Sequence, residues 1–245
     1  QILERAKLGE NAETQLGKAL KEINCKREDY VVSTKLFWGT NEWKTKVNSI
    51  GLSRKHLLEG IKNSLERLQL NYVDIVFCHR PDKNVSIEDV CRSMHWIIEQ
   101  GYALYWGTSE WNPTYIAVAI ETCRRLGLHA PIAEQPQYNI LHRTRVEKEY
   151  REIFELYQYG TTIWSPMASG FLSGKYNSGK TPEGSRLNEP GRGQNILNTY
   201  INSTPDVFDK LQKLEKLAER IGYSQSQIAL AWVVANTDVT TCILG

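Results

Sequence analysis

The sequence predicts an α/β protein built as a parallel (β/α) barrel. Three observations predict it. Strand-like and helix-like segments alternate strictly along the chain, which implies a parallel sheet. A polar residue closes nearly every strand-like run: Lys35, His79, Ser109, Gln135 and Ser165. Barrel proteins build their sites at that end of every strand, whereas an open sheet concentrates its site at one switch point. The competing open, dinucleotide-binding sheet usually shows GxGxxG after an early strand, and no such motif is present.

The elements follow in order. Short β-branched or aromatic runs lie at 30–37, 72–79, 103–109, 131–136, 161–166 and 239–244. Ser53 caps a helix whose apolar face is Leu57, Leu58, Ile61, Leu65 and Leu68, all on one side by their spacing. Ser86 with Asp89 resembles a capping box; that helix carries Val90, Met94, Ile97 and Ile98 and ends at Gly101. Asn112 and Pro113 form an N-cap with proline at the first helical position, and Gly127 closes the helix. Thr204 and Pro205 repeat the start signal, with Leu211, Leu214, Leu217 and Ile221 as the buried face and Gly222 as the stop. Ser224 with Gln227 opens a last helix through Trp232 to Asn236. Six strands are counted where a closed barrel needs eight, and a barrel lacking neighbouring strands has exposed edges. The expectation is therefore one domain over residues 1–245, incomplete at both ends: the first two strands and the C-terminal end are missing.

Composition narrows the function classes. The 245 residues are 41% hydrophobic, enough for a sizeable core. Lys and Arg number 30 against 28 Asp and Glu, so no nucleic-acid surface is expected. No apolar run reaches transmembrane length, so no membrane insertion is expected. The opening "QILERAKLGENAE" has no apolar core of a secretory signal. The five cysteines are scattered without a CxxC pair, which reads as reduced thiols in an intracellular protein. The five histidines stand isolated at no metal-binding spacing, so no metal is expected.

Taken alone, Lys35 reads as a lysine snorkelling from a strand exit, and His79 as a structural histidine. Both lie at the same end of adjacent parallel strands, where two titratable groups converging on one mouth point to general acid–base chemistry. The stretch "WSPMASGFLSGKYNSGKTPEGSR" (164–186) is rich in Gly, Ser, Lys and Arg. It reads either as a surface loop or as a cradle offering backbone N–H groups to phosphate, with Lys175 and Arg186 adding charge. Trp164 serves either as a stacking face for a flat ring or as core. Ser109 and Gln135 can hydrogen-bond an amide.

At this point the residues resemble a known family. The strand-ending "STK", "GLSRKHLLEGIKNSLERLQLNYVDIVFCHRPD", "YWGTSEW", "EQPQYN" and "WSPMASGFLSGKY" resemble the aldo-keto reductases, and "TKLFWG" with the "GLSRKH…SLERLQLNYVD" run looks like their voltage-gated potassium channel β-subunit branch. The likeness is collinear over almost the whole chain. It implies a TIM barrel of the aldo-keto reductase type that reduces aldehydes and ketones with NADPH. The branch implies a cytoplasmic homo-tetramer able to dock on a channel's cytoplasmic domain; an alternative role is a channel-regulating NADPH binder with little turnover. The family's catalytic group is Asp, Tyr, Lys and His. Lys35 and His79 match the last two. Many animal channel β-subunits carry Asn at the His79 position, so this histidine favours a reductase. The best match to the Asp and Tyr segment is "QILERA", with Gln1 and Ala6 at those positions. The resemblance further implies that Ser109 and Gln135 hold the nicotinamide amide beside Trp164, with Glu110 as a departure next to the serine. The diphosphate would follow Ser165, Pro166, Met167, Ala168, Ser169 and Gly170, with Lys175 beside it and Arg186 near the adenosine 2′-phosphate. Trp38, shortly after Lys35, lines the substrate pocket or packs at the rim.

Overall fold

The computed structural model describes residues 12–23, 25–39 and 48–244. Gln1, Ala6 and the rest of "QILERA" lie outside the described residues, as does Gly245. The described chain falls into two compact units: residues up to Pro136 with Glu149–Thr161, and Gln137–Lys148 with Thr162–Leu244.

The first unit alternates helix and strand: α1 (Ala12–Ile23), β1 (Ser33–Leu36), α2 (Arg54–Leu68), β2 (Val73–Cys78), α3 (Ile87–Glu99), β3 (Ala103–Thr108), α4 (Pro113–Leu126), β4 (Ala133–Glu134), α5 (Arg151–Tyr157) and the start of β5 (Gly160–Ile163). Each strand pairs in parallel with its predecessor, in registers Leu36↔Cys78, Cys78↔Thr108, Thr108↔Glu134 and Glu134↔Thr161. Strand order thus follows chain order without the reversal that defines an open doubly wound sheet. The sheet also curves. Lys35 on β1 donates to Gln135 beyond β4 at 2.6 Å, although three strand spacings on a flat sheet come to about 14 Å. Only a face curled inward brings the two side chains together. The fold is α/β with a parallel sheet of barrel type.

The helices bury the faces their sequences predict. Ser53, Ser86 and Asn112 each accept a hydrogen bond from the backbone N–H three residues on. Leu57, Ile61, Leu65 and Leu68 are buried, with Leu58 half-buried. Gly107 has no room for a side chain: a Cβ there would stand 2.6 Å from the Phe77 ring and 2.5 Å from the Ala133 carbonyl. Its absence lets Phe77 lie flat across β3.

The second unit holds the end of β5, parallel to β6 (Thr241–Cys242) through Thr162↔Thr241 and Ile163↔Cys242. Its helices are α6 (Arg192–Ser203), α7 (Val207–Ile221) and α8 (Gln225–Val234). Phe171, Leu172, Tyr176, Leu187, Tyr200, Val207 and Leu211 form its core. The Ser224–Gln227 capping box forms, but α8 stops at Val234, short of Asn236. Three expectations are corrected. Thr204 terminates α6 and Pro205 follows in the turn, so α7 starts two residues later than the Thr–Pro signal suggested. Ile221 is 45% exposed, because it sits on the last turn beyond the packed stripe. The helix α6 was not anticipated: it begins after Gly191 with no side-chain cap. Among the described residues no helix is long and apolar enough to cross a membrane.

Candidate active site

Three neighbouring strands of the first unit each run one step past their last paired residue, onto His79, Ser109 and Gln135. The ladder continues there: His79 N donates to Leu36 O at 3.1 Å, Ser109 N to Cys78 O at 3.0 Å and Gln135 N to Thr108 O at 2.7 Å. These three residues therefore share one level of the sheet. Lys35 pairs with Phe77, two residues before His79, so Lys35 and His79 share a face because side chains alternate along a strand. The regular register thus converts four separated sequence positions into one cluster.

The cluster is tightly bonded. Lys35 Nζ donates to Gln135 Oε1, and Ser109 Oγ donates to the Gln135 carbonyl at 2.8 Å. Ser109 and Gln135 are buried, Lys35 and His79 half-buried. Arg80 donates to the His79 carbonyl at 2.7 Å and places its charge beside the ring. Burial, then the charges of Lys35 and Arg80, push the His79 imidazole down to about 3. His79 is therefore neutral at physiological pH. It can offer an N–H to a carbonyl oxygen, and it is a poor proton reservoir there. Trp38 is 53% exposed and stands edge-on to His79, with ring centroids 6.4 Å apart. It belongs to the rim of this cluster.

On the opposite face of the same strands lies Glu134, fully buried. Thr108 Oγ1 donates to its Oε2, Tyr159 bonds the same hydroxyl at 2.9 Å, and Trp111 N donates to Oε1 at 3.2 Å. Burial raises its carboxyl from 4.5 to about 8. Neither Glu134 nor Arg80 was singled out from the sequence. The signal available was a carboxylate inside an apolar strand, directly before a site residue.

The remaining predicted residues lie in the second unit. Trp164 bridges to Gln137 and is half-buried. The following loop has an unusual backbone: Ser165, Ala168 and Ser169 have φ of 55°, 50° and 55°, and Gly170 and Gly174 have 100° and 90°. L-residues rarely adopt this region. The loop persists because its partners fix it. Ala168 N donates to Ser165 O at 3.0 Å, Ser169 N to Ser165 Oγ at 3.1 Å, and Gly170 N to Met167 O at 2.9 Å. Asn139 Nδ2 donates to Ser165 O at 2.9 Å. Pro166 and Ala168 are buried, which anchors the loop from below. Tyr200, buried on α6, accepts from Gln137 Nε2 at 2.8 Å. Gln137, Asn139 and Tyr200 are functional candidates that the sequence reading missed. Lys175 and Arg186 are both exposed.

Two exposed cations in the second unit, Lys175 and Arg186, suit the phosphates of a dinucleotide. In the Ser/Gly loop the N–H groups of Ala168, Ser169 and Gly170 already donate within the loop. In the first unit, Ser109 and Gln135 can hold a carboxamide only by sharing the bonds they already make to each other and to Lys35.

Residues 8–245 match the model of the Aldo/keto reductase family. The chain is 43% identical over 234 residues to a protein of Oryza sativa subsp. japonica named "Probable voltage-gated potassium channel subunit beta", covering 96% of this chain and 69% of that one. It is 42% identical over 234 residues to an Arabidopsis thaliana protein of the same name, with the same coverage.

Proposed function

Because the chain belongs to the aldo/keto reductase family, we propose that it reduces aldehydes and ketones to alcohols, with NADPH as the reductant. NADPH, when bound, supplies the hydride. The observation that carries this reading is the neutral His79 beside Lys35 on one sheet face. His79 donates a hydrogen bond to the substrate oxygen and orients the carbonyl. Lys35 contributes positive charge where negative charge develops on that oxygen, and such preorganised charge stabilises the transition state; the resulting alkoxide takes its proton from solvent water. Trp38 limits access at the rim. In the first unit, Ser109 and Gln135 would hold the carboxamide. In the second, Trp164 would offer a stacking face. The loop Ser165–Gly170 and Lys175 would hold the diphosphate. Arg186 would take the 2′-phosphate as a bidentate pair, favouring NADPH over NADH.

The test follows NADPH oxidation in the presence of an aldehyde. His79→Ala and Lys35→Met should each lower the rate by roughly a hundredfold or more. Unchanged turnover in both variants would remove the site assignment. Because His79 is neutral, the rate should show no inflection from it between about pH 5 and 8.

A second reading rests on the names of the relatives, potassium channel subunits beta: a cytoplasmic tetramer that binds NADPH and docks on a channel. Sedimentation and co-purification with a channel's cytoplasmic domain test it. A monomer that ignores that domain at micromolar concentration would argue against it.

A further inference from the structure

Outside the site just described, the first unit gathers a second cluster with metal-binding chemistry. His95 and Glu99 lie four residues apart on the last turns of α3, so they share one helix face. His129 follows α4, on the segment leading into β4. One nitrogen of each imidazole and one carboxylate oxygen of Glu99 lie within 4.8 Å of one another. His129 Nε2 and Glu99 Oε1 are 2.8 Å apart, and the two rings stand 5.0 Å apart, tilted by 34°.

The arrangement is anchored on both sides. The helix fixes His95 and Glu99. His129 is pinned by its backbone: its carbonyl accepts from the Trp106 indole at 2.7 Å, and its N–H donates to His95 Nδ1 at 3.3 Å. Trp106 is itself fully buried in β3. The His129 side chain therefore projects from a fixed point, beside a helix turn that carries the other two donors.

We propose that His95, Glu99 and His129 form a divalent-cation site selective for zinc. Two imidazoles and one carboxylate suit Zn²⁺, whereas Mg²⁺ and Ca²⁺ favour all-oxygen shells. Zinc bonds of about 2.0–2.2 Å set donors roughly 3.3 Å apart in a tetrahedron. The His129–Glu99 pair must open slightly and the third donor must close, both by rotation of side chains at the surface. Each imidazole binds through an unprotonated ring nitrogen, and any proton carried there leaves to solvent. Water completes the fourth position. The ion ties the end of α3 to the segment entering β4, so its binding stabilises the folded chain by mass action.

The experiment titrates ZnCl₂ into the chelator-treated 245-residue chain by calorimetry, with MgCl₂ as a control, and repeats the thermal melt with and without zinc. One saturable zinc per chain is expected, with a raised melting temperature and no response to magnesium. His95→Ala and His129→Ala should each abolish the zinc-dependent shift. Glu99→Gln should weaken binding by at least the roughly tenfold that loss of an outer-shell partner costs. His142→Ala should change nothing. No saturable uptake, or uptake that survives the double His95→Ala/His129→Ala variant with an intact near-ultraviolet dichroism spectrum, would overturn the proposal. Glu99 and His129 are exposed and His95 half-buried, so the dichroism spectrum of each variant separates loss of the site from failure to fold.

Discussion

The first unit builds its candidate site on a regular sheet, and the second on a loop of left-handed backbone. In the first, sheet register brings His79, Ser109 and Gln135 to one level and sets Lys35 on the same face. In the second, Ser165, Ala168 and Ser169 hold left-handed conformations that cost roughly 1 kcal/mol or more apiece. They are held there by Asn139 and by bonds within the loop. A regular scaffold can place functional groups without strain, whereas a loop in left-handed conformations needs a supporting set of bonds.

The comparison can be broken at its strongest point first. Gly107→Val should destabilise the first unit by about 3 kcal/mol or more, since overpacking typically costs 1–3 and backbone here leaves no escape. Denaturant unfolding measures this; a loss under 1 kcal/mol would show that Phe77 and Ala133 yield. Next comes Glu134. Its carboxyl is raised from 4.5 to about 8 in the folded chain, so the folded state binds the proton more tightly than the unfolded chain. Stability is then complete below about 4.5 and falls as pH rises toward 8. Glu134→Gln should flatten that slope in melts run from acid to neutral pH. A smaller effect is expected for Tyr200→Phe. Removing the hydroxyl takes one acceptor from half-buried Gln137, at about 1 kcal/mol. On the proposed reading NADPH affinity should fall while the aldehyde's KM stays constant, because the loss lies in the second unit. Smallest is Gln69→Gly. Gln69 is an exposed αL residue closing α2, and glycine there should add about 0.5–1 kcal/mol with no change in activity. Together with Tyr200→Phe it separates left-handed backbone that merely ends a helix from left-handed backbone that builds a site.

The same contrast explains what could be read in advance. Strand ends on the first unit were legible because an apolar run stopping on Lys or His breaks its own pattern. The helices with Ser or Asn caps were legible for the same local reason. The helix α6 starts on Gly191 without a cap and carried no such mark. Tyr200 therefore looked like one more apolar residue. Glu134 was hidden because its partners, Thr108 and the Trp111 N–H, lie 26 and 23 residues away. His95 and His129 looked isolated at 34 residues' separation, and only the packing of α3 beside the segment after α4 brings them together.

The order of strands in the first unit also bears on how the chain acquires its structure. Each of β2 to β5 bonds to the strand just before it in sequence. Among the described residues of this unit no strand waits for a distant partner, so loop-closure entropy is spent in small instalments. A chain emerging from a ribosome can add one strand and its helix at a time to the growing edge. Such vectorial growth moves the receiving edge along with the chain, and that edge is the place where a chaperone would be needed.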